Sequence, residues 1–244
     1  VKKSADVFAV VNDPEVDIVL ELMGGIDVAK PLVLQAIANG KHVVTANKAL
    51  IAKHGNEIFA AAAAKNVLVA YEASVAGGIP IIKAIREGLA GNSIQWLVGI
   101  INGTGNFILT EMREKGRAFA DVLKEAQALG YAEADPTADV EGHDAAAKAA
   151  IIGSIAYGSR ITIDDVYVEG LTHVTKSDIE QATKLGYVIK LLAVARRVSD
   201  GQMLRLIKLW LKAPVVETER LAAVDAREPE PAATDIMGEG EPSP

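Results

Sequence analysis

DIVLELMGG, residues 17–25, is the stretch whose reading decides the fold. Residues 17–22 form a short apolar run that stops at Met23-Gly24-Gly25, the pattern of a buried strand followed by a turn. Working outward, residues 29–39 carry apolar Leu32, Leu34, Ala36 and Ile37 at helical spacing, and Gly40 closes that helix. Residues 41–45 (KHVVT) read as a second strand, and 47–65 as a long Ala-rich helix with an internal Gly55. Residues 67–71 read as a third strand. Strand, helix, strand, helix, strand in this rhythm predicts parallel βαβ units.

Around Glu72 the rhythm changes. Gly77-Gly78-Ile79-Pro80 opens a predicted helix to about Leu89, with Pro80 suited to its first turn. Residues 94–101 are β-rich, and 102–106 (NGTGN) make a sharp turn into a helix with Phe107, Ile108 and Leu109. Further helices are predicted over 119–129, 144–157 and 176–185. Residues 188–198 and 204–211 read as strands that turn around Asp200-Gly201. The fold class is therefore α/β, a parallel-sheet domain over 1–71 followed by an α+β domain over 72–213. Residues 214–244 are acidic and rich in Pro, Gly and Ala, too poor in apolar surface to offset ordering entropy, and are expected to be a disordered tail.

Composition narrows the function classes. The chain has 244 residues, of which half are hydrophobic and only 5% aromatic, so Ala, Val, Ile and Leu must build the core. The net charge of −7 and the lack of a long basic stripe argue against a nucleic-acid partner. No uninterrupted apolar run is long enough to span a bilayer, so no membrane partner is expected. Absence of cysteine excludes disulfides, thiolate catalysis and a cysteine zinc site, and is compatible with a cytoplasmic location. The histidines show no metal-ligand spacing.

Four segments carry chemistry. GYAEADPTADVEGHDAAAK, residues 130–148, gathers Glu133, Asp135, Asp139, Glu141 and Asp144 on a turn-rich approach to a helix that carries Lys148. Asp144 and Lys148 are four apart and share a helical face. Acids before one lysine can hold an ammonium while the lysine moves a proton. An acidic cap with a weak surface ion pair fits the same spacing. Gly24 and Gly25 stand at the carboxyl end of a predicted parallel strand, where ligands of open α/β sheets sit, although an ordinary tight turn explains them as well. Lys48, in TANK (45–48), follows the second strand and lies at the same edge, at the start of a helix where a cation is electrostatically disfavoured. EASVAGGI, residues 72–79, joins one carboxylate to a glycine-rich turn whose carbonyls suit a monovalent ion or a purely structural role.

The segments ELMGG (21–25), GKHVVTANKAL (40–50), YEASVAGGIPIIKAIREGLAGN (71–92), INGTGNFILTEM (101–112) and LKEAQALGYAEADPTADVEGHDAAAK (123–148) together resemble the homoserine dehydrogenase family. EGLTHVTKSDI (169–179) and LGYVIKLLAVARR (185–197) extend the resemblance, which covers about residues 6–198. Residues 208–244 show no clear match to the family pattern. The resemblance implies a partial Rossmann-like domain, then a substrate and dimerisation domain. It implies NAD(P)H-dependent reduction of L-aspartate 4-semialdehyde to L-homoserine, on the route to threonine and methionine. It also implies a homodimer or homotetramer, and a G-x-G-x-x-G strand and helix ahead of Val1. Carried over residue by residue, Lys148 is the proton donor and Lys48 a catalytic lysine that touches substrate and cofactor. Glu133, Asp139 and Asp144 bind substrate. Gly130 is placed against the cofactor, NADP or NAD; Gly24, from its place at the strand edge, is expected against it too. Glu72, Val75, Gly77 and Ile79 form a sodium site. His143 and Ala147 depart from the family pattern, which has an aliphatic residue at the first position and His or an aromatic at the second. A non-catalytic remnant that binds substrate or dimerises is the alternative.

Overall fold

Strand β1 (Ile18–Glu21) alternates outward Ile18 and Leu20 with buried Val19 and Glu21, and β2 (His42–Thr45) repeats the pattern. The computed structural model describes residues 4–196 and 216–217. Before β1 lies a short helix, α1 (Val7–Asn12), capped by the Asp6 carboxylate. Helices α2 (Ala29–Ala38) and α3 (Lys48–Lys65) follow β1 and β2, and β3 (Val69–Ala70) completes a parallel sheet of order β1-β2-β3. Its register pairs Ile18 with His42 and Val43 with Val69. Val19 and Val43 face Val33, Ile37, Leu50 and Ile58 of the two helices, forming one core. Each of these larger side chains contributes about 1.5–3 kcal/mol on burial. Among the described residues nothing is packed on the opposite face: Ile18 is 54% and Leu20 64% exposed.

The predicted βαβ rhythm is thus present, with a third strand shorter than the run 67–71. A 3-10 turn (Glu72–Ser74) leads to α4 (Ile81–Lys83), which Pro80 caps and which continues as a π-helical turn over Ala84–Gly88. Strand β4 (Trp96–Gly99) precedes α5 (Gly103–Lys115) and α6 (Phe119–Ala128). The acidic loop is not all turn; it holds α7 (Thr137–Val140) before α8 (His143–Tyr157). After a 3-10 turn (Ile163–Asp165), α9 (Lys176–Lys184) starts at a capping box of Thr175 and Asp178.

The single strand predicted over 188–198 is two strands in two sheets. β5 (Val188–Ile189) pairs with β7 (Val216–Glu217), while β6 (Ala193–Arg196) pairs antiparallel with β4. Leu191, between them, breaks the run. Its N–H donates to Asn106 Oδ1 at 3.1 Å and its carbonyl accepts from Asn106 Nδ2 at 2.9 Å, which takes both groups away from any ladder. The predicted strand at 204–211 and its turn lie outside the described residues, and of the expected tail only Val216–Glu217 is described.

Two further cores hold the helices. Ile51 and Ala52 of α3 pack with Tyr71, Val75, Ile82, Ala147 and Ile151, which joins the sheet half to α8. Ile108, Leu109, Met112, Val122, Val140, Leu171 and Ile179 bind α5, α6, α7 and α9 together. Among the described residues no helix is long and apolar enough to cross a membrane.

Candidate active site

Three helix starts converge on one carboxylate. Helix α3 begins at Asn47, whose Oδ1 accepts the Leu50 N–H at 3.0 Å, and Lys48 is its first residue. Lys48 Nζ lies 2.6 Å from Asp144 Oδ1. This ion pair offsets the cost of a cation at a helix N-terminus. Asp144 stands in the first turn of α8, where the helix dipole favours a negative charge. The chain enters α8 through Gly142 at φ +81°, and a Cβ there would meet the Glu169 carbonyl oxygen at 3.1 Å, so glycine is required on two counts.

One turn along α8, Lys148 Nζ donates to Asp144 Oδ2 at 2.6 Å and to the Ile101 carbonyl at 2.7 Å. Asn102 follows and caps α5, its Oδ1 accepting the Gly105 N–H at 2.7 Å. Asn102 Nδ2 donates to Asp139 Oδ1 at 2.7 Å and to Asp144 Oδ2 at 3.0 Å. Gly105 is needed for close approach, since a Cβ there would stand 2.9 Å from both Leu171 and Leu191. Asp144 is 6% exposed. Burial alone pushes its pKa up; hydrogen bonds from Lys148, Lys48 and Asn102 outweigh burial and hold the carboxyl below the usual carboxylate range.

A second network supports Lys48 from below. Glu21, 1% exposed, accepts the Met23 N–H at 2.8 Å and the Thr45 hydroxyl at 2.6 Å. Thr45 Oγ1 accepts the Asn47 N–H at 2.9 Å, and Asn47 Nδ2 donates to the Gly25 carbonyl at 2.6 Å. The loop after β1, which carries Gly24, is thereby tied to the loop after β2, which carries Lys48. A Cβ at Gly24 or at Gly25 would meet nothing within 4 Å, so a flat or anionic group has room at this carboxyl edge of the sheet.

The remaining expected residues fall in two groups. Gly130, at φ +77°, ends the α6 segment, and Thr104 Oγ1 donates to the neighbouring Tyr131 carbonyl at 2.8 Å. That bond draws the loop bearing Gly130 and Glu133 over the start of α5. The Glu133 side chain is exposed and makes no hydrogen bond or ion pair with the described residues. Asp135 turns instead to Thr137, and Glu141 to the Thr172 hydroxyl. Glu72, Val75, Gly77 and Ile79 share one turn, in which Ala76 and Gly77 take φ of 60° and 56°. Both Glu72 carboxylate oxygens are engaged, accepting the N–H groups of Ile82 and Lys83 at 2.9 Å. Sequence reasoning missed Asn102, Glu21 and Asn47. The local signal for Asn102 was an asparagine followed three residues later by a glycine at a helix start.

Comparisons with known proteins agree on a family. Residues 1–72 match the model described as "Homoserine dehydrogenase, NAD binding domain". Residues 80–229 match "Homoserine dehydrogenase", so the likeness runs past residue 198 and into 208–229, beyond the motifs that carry the resemblance. The homoserine dehydrogenase of Pseudomonas aeruginosa is 65% identical over 202 residues, which are 83% of this chain and 46% of that protein. That of Neisseria gonorrhoeae is 59% identical, covering 82% of this chain and 46% of the relative. The crystal structure of a homoserine dehydrogenase from Thiobacillus denitrificans superposes with a TM-score of 0.79 at 64% identity, covering 81% of this chain and 46% of that one. A hyperthermophilic archaeal homoserine dehydrogenase in complex with NADPH superposes with a TM-score of 0.67 at 28% identity, covering 79% and 56%. The chain spans about half the length of the curated relatives it matches. A parallel sheet with an NAD-binding-domain match, joined through α3 and α8 to a lysine–carboxylate cluster, places this chain in the homoserine dehydrogenase family.

Proposed function

We propose that this chain carries the proton-transfer site of a nicotinamide-dependent reduction of L-aspartate 4-semialdehyde to L-homoserine, a step towards threonine and methionine. The observation that carries this reading is Asp144 holding Lys48 and Lys148, which arrive from the two halves of the chain. NADP or NAD, when bound, supplies the hydride. The open edge at Gly24 and the adjacent Lys48 suit such a group, and Gly130 is assigned to it as well. As charge grows on the aldehyde oxygen, Lys148 would donate the proton, and Lys48 would stabilise the same oxygen and help hold the cofactor. Ile101 and Asp144 hold two of the donor directions of Lys148 and leave the third for substrate. Asp139 and Glu133 take the substrate ammonium. Asp144 orients both lysines, and this lysine pair weighs against a module that only binds or dimerises.

Sodium fits the turn at 72–79 through main-chain oxygens. Among the described residues the carbonyls of Val75 and Gly77 accept no hydrogen bond, and Ile79 offers a second lone pair beside the one that takes the Ile81 N–H. Glu72, already bonded to α4, adds negative charge nearby. Our reading further includes a cytoplasmic location, a homodimer or homotetramer, and domains over 1–71 and 72–213 with a tail over 214–244. The direct test places this sequence in the matching stretch of the Pseudomonas aeruginosa relative. The hybrid should consume NADPH only when the semialdehyde is present; a folded hybrid that leaves NADPH untouched overturns the proposal.

A further inference from the structure

The acid pair converges on Asn102, which the reading above leaves with no chemical task. Its side chain is buried, and the residue is 3% exposed. Oδ1 is committed to the Gly105 N–H at 2.7 Å, which fixes the amide orientation and leaves Nδ2 facing the carboxylates. One N–H of Nδ2 serves Asp139 Oδ1 at 2.7 Å and the other serves Asp144 Oδ2 at 3.0 Å. Two carboxylates brought to one spot repel, and one of them is driven to keep its proton. A neutral double donor between them removes that conflict without adding charge.

We infer that Asn102 is a positioning residue whose amide nitrogen sets the separation of Asp139 and Asp144, and through Asp144 the directions of Lys48 and Lys148. The catalytic meaning of those directions rests on the dehydrogenase reading; the geometry does not. The groups that face the pair are Lys48 from α3, Lys148 from α8, and the Ile101 carbonyl, which holds Lys148 from the segment leading into α5. The same peptide segment therefore fixes the lysine through residue 101 and both acids through residue 102.

Asn102→Asp and Asn102→Ser separate this role from helix capping. Each retains a side-chain oxygen for the Gly105 N–H, so the cap of α5 survives. Asn102→Asp turns a third carboxylate oxygen towards the pair, and Asn102→Ser removes the bridge without adding charge. Carboxyl-carbon NMR titration of Asp139 and Asp144 in the full chain, with no ligand added, reads the outcome. In Asn102→Asp the titration of the acid pair should move up by about one pH unit or more, and in Asn102→Ser by less in the same direction. Unchanged titration of both acids in folded Asn102→Asp overturns the proposal; if that variant does not fold, unchanged titration in Asn102→Ser does so. In a hybrid that turns over semialdehyde, the acid limb of the kcat/KM profile should move with the carboxyls, and a limb that stays put counts against the role. Carboxyls that shift as expected in the chain, together with a folded hybrid that leaves NADPH untouched, support the positioning role while overturning the dehydrogenase reading.

Discussion

The sheet β1-β2-β3 is packed on one face and open on the other, whereas the helix starts around Asp144 leave the central polar groups paired. Parallel sheets ordinarily bury both faces. Here Ile18, Leu20 and Val44 meet solvent, while Asp144, Asn102 and Lys148 are wired to one another within the chain. The difference separates polar contacts that this chain completes by itself from a face that its described residues leave uncovered. The lysine–carboxylate cluster draws its contacts from this chain's own helices, so changes there should act strongly. The open sheet face contributes little to the described fold, so changes there should act weakly.

The largest effect tests the cluster. Lys148→Ala should lower turnover of the hybrid by about two or more powers of ten, with circular dichroism unchanged; near-normal turnover removes the proton donor from the comparison. Next comes the packed face of the sheet. Ile58, fully buried in α3, should cost about 2–5 kcal/mol when cut to alanine, as read by urea denaturation. Thr45→Val strips Glu21 and Asn47 of one hydroxyl and should cost about 1–3 kcal/mol, whereas Thr45→Ser restores most of it. A loss shared equally by both Thr45 variants would show that the hydroxyl link is idle.

Acid should dissolve the contrast. The folded pKa of Asp144 lies below its unfolded value, so its contribution is complete above the unfolded value of about 4 and is lost as pH falls through the folded one. Thermal midpoints of the chain and of Asp144→Asn should differ near neutrality and converge in acid; a gap that persists below that window contradicts the ion-pair account. The smallest effect belongs to the bare face. Leu20→Ser should change stability by no more than about 0.5 kcal/mol. A loss several times larger would mean that this face is covered in solution.

Local patterns in the sequence carried the sheet and part of the site. The alternation in β1 and β2 and the helical spacing of α2 and α3 were legible because one face of each packs on a single core. The link between Asp144 and Lys148 was legible because a helix puts residues four apart together. The link between Lys48 and Asp144 was not, since it arises only when Ile51 and Ala52 pack against Ala147 and Ile151. Asn102 read as part of a turn because both its partners are distant in sequence. Glu21 was hidden for another reason: a charged residue within an apolar run suggests a surface position, yet its partners are a main-chain N–H and a hydroxyl that let it be buried. Glu133 shows the reverse case, a motif acid that the fold leaves exposed.

The hub at Asp144 also has unequal arms. The Lys48 side chain is 43% exposed, while those of Lys148 and Asp144 are 16% and 5% exposed. Dissolved ions reach the Lys48 arm and screen it, and they reach the Lys148 arm far less. Rising ionic strength therefore loosens the tie between the sheet half and Asp144 first and spares the pair within α8, which makes the site a salt-graded clasp between the two halves of the chain.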